Sequence, residues 1–213
     1  MILFSILPRI DAGGPSCYTA FKSKAFCQKG RGCFSKGKPS RRPADRGEKQ
    51  MNKNEVYRFL DQKQIWHEIT EHPAVYNMEQ LEQVTLPYPG CDAKNLFVRD
   101  DKRRNYYLIT VKGDKRVNLK DFRRKQGTKP LTFASPEELA EILGLIPGAV
   151  TPLGLLNDTA CRVQFYIDRD FWQAPGLIGV HPNDNTATVW LKADDLVALL
   201  RDHGNAVQAV DLD

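Results

Sequence analysis

The chain has 213 residues, 41% of them hydrophobic and 27% charged, which fits one ordinary soluble domain with an extension, or two small domains. No apolar run is long enough to cross a bilayer, so no membrane partner is expected. The formal charge of +5 is unevenly held: residues 1–50 carry eleven basic side chains against three acidic ones, net +8, whereas residues 51–213 carry twenty against 23, net −3. Any nucleic-acid footprint on the folded part must then be a local patch, because the whole-chain basicity belongs to the extension.

Residues 1–50 show no sustained helix or strand period and contain Gly13-Gly14-Pro15, Gly30-Arg31-Gly32 and Lys38-Pro39-Ser40-Arg41-Arg42-Pro43, so they read as a basic, disordered extension. The apolar start, Met1 to Leu7, has no basic residue before it and meets Pro8 at once, which is a poor fit to a secretory signal. A transit peptide fits the basic, acid-poor composition. The abrupt change at Met51 favours instead an extension upstream of the natural start. Five cysteines, an odd number with no CxxC pair, argue against a disulfide framework or a structural zinc site and fit reduced thiols in the cytoplasm. Cys91 lies near Lys94, but no nucleophile motif surrounds it.

Residues 51–213 form the expected domain. Asn52 or Asn54 can cap a helix whose apolar positions Val56, Phe59 and Leu60 follow the i, i+3, i+4 spacing. Ile65 to Thr70 alternates as a strand, and Met78 to Val84 suits a short helix broken by Pro87-Tyr88-Pro89-Gly90. Asn95 to Arg99 and Tyr106 to Val111 read as the two strands of a hairpin. Leu119 to Lys125 is a basic helix, either a solvated face or a nucleic-acid contact. After a strand at Leu131-Thr132-Phe133, Ser135-Pro136-Glu137-Glu138 supplies an N-cap, a proline at N1 and first-turn acids for a helix to Leu143. Strands follow at 162–167, 177–181 and 186–191, then a helix from near Lys192 to Gly204 and a closing strand from Ala206 to Leu212. Strands outnumber helices without a βαβ rhythm, which predicts an α+β domain with a mixed, strongly curved sheet.

Four polar or glycine-rich features fall at element ends, where functional groups are usually presented. They are Lys94-Asn95, the loop Gly148-Ala149-Val150-Thr151-Pro152-Leu153-Gly154, Asn157-Asp158, and the turn His181-Pro182-Asn183-Asp184-Asn185-Thr186. In the loop, glycine permits close backbone approach and Pro152 pushes Thr151 toward an extended conformation, so shape and backbone donors are on offer rather than a nucleophile. His67, His72 and His203 have no partners at metal-binding spacing, and no phosphate or dinucleotide motif is present, so neither metal nor cofactor is expected.

In this order the features resemble the YbaK/prolyl-tRNA synthetase-associated domain, and within it the free-standing deacylases that clear alanine mischarged on proline tRNA. The resemblance covers essentially all of residues 51–213, through the Lys-Asn-Leu-Phe start, the GxxxP loop and the HPNDNTAT turn. It implies a barrel-like curved sheet with surrounding helices and a hydrolase without metal or cofactor. Alanine-charged tRNA(Pro) would be the substrate, and prolyl-tRNA synthetase a candidate partner. Carried over by motif, Lys94, Gly148 and His181 are the catalytic candidates; Asn95, Ala149, Val150, Thr151, Pro152, Leu153 and Asn183 are the substrate-binding ones. For tRNA contact the best sequence candidates are Lys112, Lys115, Arg116, Lys120, Arg123 and Arg124. Deacylation of Cys- or Ser-charged tRNA, and a non-catalytic tRNA- or synthetase-binding module, are the alternatives.

Overall fold

A computed structural model of the chain describes residues 50–74, 86–113 and 115–212, all within one unit, Gly47–Asp213. The expected extension at 1–49 and the expected helix at Met78 to Val84 lie outside the described residues. Helix α1 (Lys53–Gln62) opens on Asn52, whose side chain accepts from Glu55 N at 3.1 Å while the Glu55 carboxylate accepts from Asn52 N at 2.9 Å. Helix α3 (Pro136–Leu143) repeats this reciprocal cap with Ser135 and Glu138. A cap of this kind is worth about 1 kcal/mol, and it fixes where each helix begins. Helices α2 (Leu119–Gln126) and α4 (Ala193–His203) complete the set, α2 capped by the Asn118 side chain and α4 starting with Asp194 and Asp195 in its first turn. Among the described residues no helix is long and apolar enough to cross a membrane.

The strands divide between two open sheets. Strands β1 (His67–Glu71), β7 (Ala187–Lys192) and β6 (Leu177–Val180) form an antiparallel sheet in the order β1-β7-β6. The second sheet has the order β4-β2-β3-β5-β8, from strands β2 (Ala93–Asp100), β3 (Tyr106–Lys112), β4 (Leu131–Phe133), β5 (Val163–Asp168) and β8 (Val207–Val210). Its β4-β2-β3 part is antiparallel, and the β3-β5 and β5-β8 pairs are parallel. The α+β class and the mixed sheet are as expected, but the barrel-like closure is not what forms. Closure needs a continuous ladder all the way round. Here the terminal strands are too short to extend it: β4 pairs through only Val98, Arg99 and Asp100 of β2. The two sheets touch instead at a parallel bridge between Asp92 and Gly179, where Gly179 N donates to Cys91 O at 2.8 Å. Strand β1 starts later than the alternation predicts because the Ile65 N–H is turned back to close the end of α1, donating to Leu60 O at 3.0 Å.

Alternation along the hairpin sorts side chains into two cores. Phe97 and Leu108, with Phe165 and Ile167 of β5, join a main cluster that also takes Ile178, Val180, Val189 and Leu191 from the other sheet and Val56 and Leu60 from α1. The intervening residues Val98, Tyr107, Ile109 and Val111 face a second cluster closed by Phe122 of α2, which meets Tyr166 edge-on at 4.9 Å. Each fully buried Leu, Ile or Phe of this kind contributes about 1.5–3 kcal/mol of transfer free energy, so the hairpin is fixed from both sides. Its N-terminal end, where the apolar pattern stops at Lys94-Asn95, lies beside the bridge between the sheets.

Candidate active site

The loop that follows α3 owes its course to two glycines. Gly148 has φ +87°, a left-handed conformation that a side chain would strain, and the chain turns there with Ala149 N donating to Ile146 O at 3.0 Å. Thr151 is extended, at φ −149°, as the residue before a proline should be, and caps a 3-10 helix at Pro152–Asn157. A Cβ on Gly154 would lie 2.5 Å from Leu145 Cδ1, so a larger residue there would require the buried Leu145 side chain to shift. The N–H groups of Ala149, Leu153 and Gly154 are taken up by Ile146 O, Thr151 Oγ1 and Thr151 O. Those of Gly148, Val150 and Thr151 make no hydrogen bond within the described chain.

Two side-chain bonds hold this loop in the middle. On one side Asn95 Nδ2 donates to Val150 O at 3.0 Å, and on the other the Thr151 hydroxyl donates to His181 O at 2.6 Å. The Lys94-Asn95 strand start, the GxxxP loop and the HPNDNT turn are therefore one assembly, tied at consecutive residues. Asn183, at φ +61°, donates from Nδ2 to Met51 O at 2.8 Å. Asn157 grips the same residue, its Oδ1 accepting from Met51 N at 2.8 Å while its Nδ2 donates to Leu143 O at 2.7 Å. Asn183 is thus a structural clasp between the turn and the start of α1. Pro152 and Leu153 are buried, and Leu153 belongs to the main core, so it backs the loop rather than lining an open surface. Half-buried Val150 and exposed Gly148 carry the accessible edge.

His181 is the electrostatic centre of the assembly. Burial, with the proximity of His72 and against the opposing pull of Asp184, brings the imidazole down to about 4, so it is neutral at pH 7. Its Nδ1 is buried without a partner among the described residues. The His72 ring lies 6.3 Å away, tilted by 55°. Since Pro73 O can only accept, His72 Nδ1 donates to it at 2.9 Å, and its Nε2 lies 3.0 Å from the Thr188 hydroxyl. Asp184 accepts from the N–H and hydroxyl of Thr186, and those bonds hold its carboxyl below the usual range. His72 was not among the expected site residues. No local signal marks it, because β1–β7 pairing across 116 residues brings it to Thr188.

Lys94 points the other way. Alternation puts it on the face of β2 that carries Leu96 and Val98, and its ammonium donates to Lys115 O at 2.9 Å in the β3–α2 connection. This is also the side of the sheet on which α2 packs. Arg116, Lys120, Arg123 and Arg124 are exposed along this connection and helix, with Arg124 3.0 Å from Asp121; Lys112 is half-buried. Lys115 differs from all of them. Its ammonium lies 2.6 Å from Asp170, 2.9 Å from buried Asp168 and 2.7 Å from Leu212 O. Burial pulls this lysine down, but the hydrogen bonds to Asp170 and Asp168 outweigh it and raise its pKa. It ties the β3–α2 connection to β5 and the C-terminal segment. Among the described residues no group of three or more His, Cys, Asp or Glu side chains could hold a metal ion.

Residues 72–199 match the model of the aminoacyl-tRNA editing domain. The chain belongs to the aminoacyl-tRNA editing domain family. Within the family it is 37% identical over 160 residues to the prolyl-tRNA editing protein ProX of Acetoanaerobium sticklandii, covering 75% of this chain and 97% of that protein. It is 33% identical to the mouse prolyl-tRNA synthetase associated domain-containing protein 1 over 65% of this chain and 83% of that one. A crystal structure described as that of a candidate trans-editing enzyme for prolyl-tRNA synthetase superposes with a TM-score of 0.59 at 25% identity, over 76% of this chain and 96% of that chain. The editing-domain match begins at His72 and includes the whole assembly of Lys94-Asn95, loop and turn.

Proposed function

We propose that this editing domain is a trans-editing deacylase that hydrolyses the ester of alanine mischarged on tRNA(Pro). The observation that carries the reading is the Val150–Thr151 segment, held on one side by Asn95 and on the other by the carbonyl of His181. A synthetase that must accept proline cannot sterically exclude the smaller alanine, since a missing methylene changes binding by only about 1–3 kcal/mol. A second, smaller sieve is needed, and a loop fixed at consecutive residues supplies a wall that does not yield. Ala149 and Val150 form that wall, with Pro152 and Leu153 behind it.

The acyl group is already an activated ester, so no enzyme nucleophile is required. Water attacks the carbonyl carbon, the bond to the terminal ribose oxygen breaks, and that oxygen takes a proton, leaving alanine and free tRNA. The unengaged N–H groups of Gly148 and Val150, on the accessible edge of the loop, suit the oxyanion, a role worth about 3–4 kcal/mol in other acyl-transfer sites. Neutral His181 accepts a hydrogen bond from the water or a ribose hydroxyl, and the 2′-hydroxyl assists. Lys94 leaves the Lys115 carbonyl to meet a phosphate or the carbonyl near the terminal adenosine, and Arg116, Lys120, Arg123 and Arg124 continue that charge along the acceptor stem. Release of labelled alanine from mischarged tRNA tests the reading. Lys94→Ala is expected to lower turnover, and unchanged turnover would remove Lys94 from the site. Binding of tRNA without alanine release above background would support a non-catalytic module instead.

A further inference from the structure

Asn95 and Thr110 face each other across β2 and β3, and Thr110 is fully buried in a central strand. They lie on the face that a few residues along sends Phe97 and Leu108 into the main core. A hydroxyl and an amide in that position are costly unless each has a partner. The partners form a relay: Thr110 Oγ1 donates to Asn95 Oδ1 at 2.7 Å, and Asn95 Nδ2 donates to Val150 O at 3.0 Å. Chemistry fixes its direction. The Val150 carbonyl can only accept, so the amide nitrogen must face it; the amide oxygen is then turned to β3, where a hydroxyl hydrogen meets it.

We propose that Thr110 is a positioning residue for acyl-size selection, locking the Asn95 amide so that it holds the Val150 carbonyl and with it the wall of the Gly148 to Gly154 loop. The role rests on the deacylase reading of the site. Without the hydroxyl, the Oδ1 of half-buried Asn95 loses its donor within the protein, and an amide turned over to find one sets its oxygen against the Val150 oxygen. The wall is then released at Val150 while Thr151 stays tied to His181 O, and a larger acyl group gains room.

The test compares the full-length wild-type chain with Thr110→Val and Thr110→Ser. It reads kcat and KM on Ala-tRNA(Pro) and Pro-tRNA(Pro), and amide hydrogen exchange over residues 148–153. Thr110→Val is expected to lower the alanine-over-proline selectivity about tenfold, the equivalent of one hydrogen bond at about 1.4 kcal/mol. KM for the tRNA should stay unchanged and exchange in the loop should quicken. Thr110→Ser should restore both. In an Asn95→Ala background the valine change should add nothing, since both act on one bond. Should Thr110→Val fail to fold, Asn95→Ala alone must show the same loss of selectivity. Unchanged selectivity and exchange in the valine variant, or a serine variant that behaves like valine, would overturn the role of Thr110 alone. A wild-type chain that releases no amino acid from any charged tRNA overturns the deacylase reading and the selection role together.

Discussion

On one face of the β2–β3 hairpin, Asn95 and Thr110 commit their polar groups to each other and to the backbone of the Gly148 to Gly154 loop. On the opposite face, Lys94 rests on a carbonyl of the β3–α2 connection, next to a helix whose Lys120, Arg123 and Arg124 point into solvent. The two faces differ in how freely their polar groups can move. A sieve for small acyl groups needs a wall that cannot relax, whereas recognition of a phosphate backbone needs long cations able to follow it. On the proposed function one hairpin would provide both, because strand side chains alternate. Lys115 marks the boundary, a cation on the second face that is used internally.

The difference between the two faces is greatest at that boundary. Replacing Lys115 with Met leaves Asp168, fully buried, without its cation; stability should fall by about 3 kcal/mol, the low end for removing one partner of a buried pair because the lysine is partly exposed. Chemical denaturation measures this, and a drop of less than about 1 kcal/mol, the scale of an exposed pair, would mean that Lys115 is a surface residue like its neighbours. Charge reversal at Lys120 and Arg123, by contrast, should leave stability within about 0.5 kcal/mol. It should weaken tRNA binding several-fold and reduce the slope of log affinity against log salt by about one for each phosphate that the helix no longer neutralises. A slope unchanged by both reversals would remove α2 from the tRNA interface.

The smallest effect sharpens the rigid face. The depressed folded-state value of His181 means that the unfolded chain binds the proton first as pH falls. Stability is therefore fully present above the ordinary histidine range, near 6.5, and is lost progressively as pH falls toward about 4. An NMR titration should put the ring midpoint near 4, and a midpoint near 6.5 would mean that water reaches the ring freely.

Local chemistry carried most of the secondary structure. The Asn52 and Ser135 caps, Pro136 at N1 and the β2–β3 hairpin are signals confined to a few neighbouring residues, and they form where the sequence places them. The division into two sheets was not legible in this way, because it depends on β3 pairing with β5 and β5 with β8 across intervening helices. The site divides along the same line. Lys94, Asn95, the loop and His181 were readable as motifs, with the loop's bend at Gly148 and Thr151 following from residue type. His72 beside His181, Thr110 behind Asn95, and the internal use of Lys115 are all products of long-range pairing. A lone histidine, a strand threonine and one lysine among several carry no mark of their own.

Selection of a small acyl group by a wall held at Val150 and Thr151 is tested most directly by single-turnover hydrolysis of Ala-tRNA(Pro) and Pro-tRNA(Pro) with the same preparation. Rapid release of alanine with proline left esterified is the predicted result. Equal release of both amino acids, or release of neither, would contradict it.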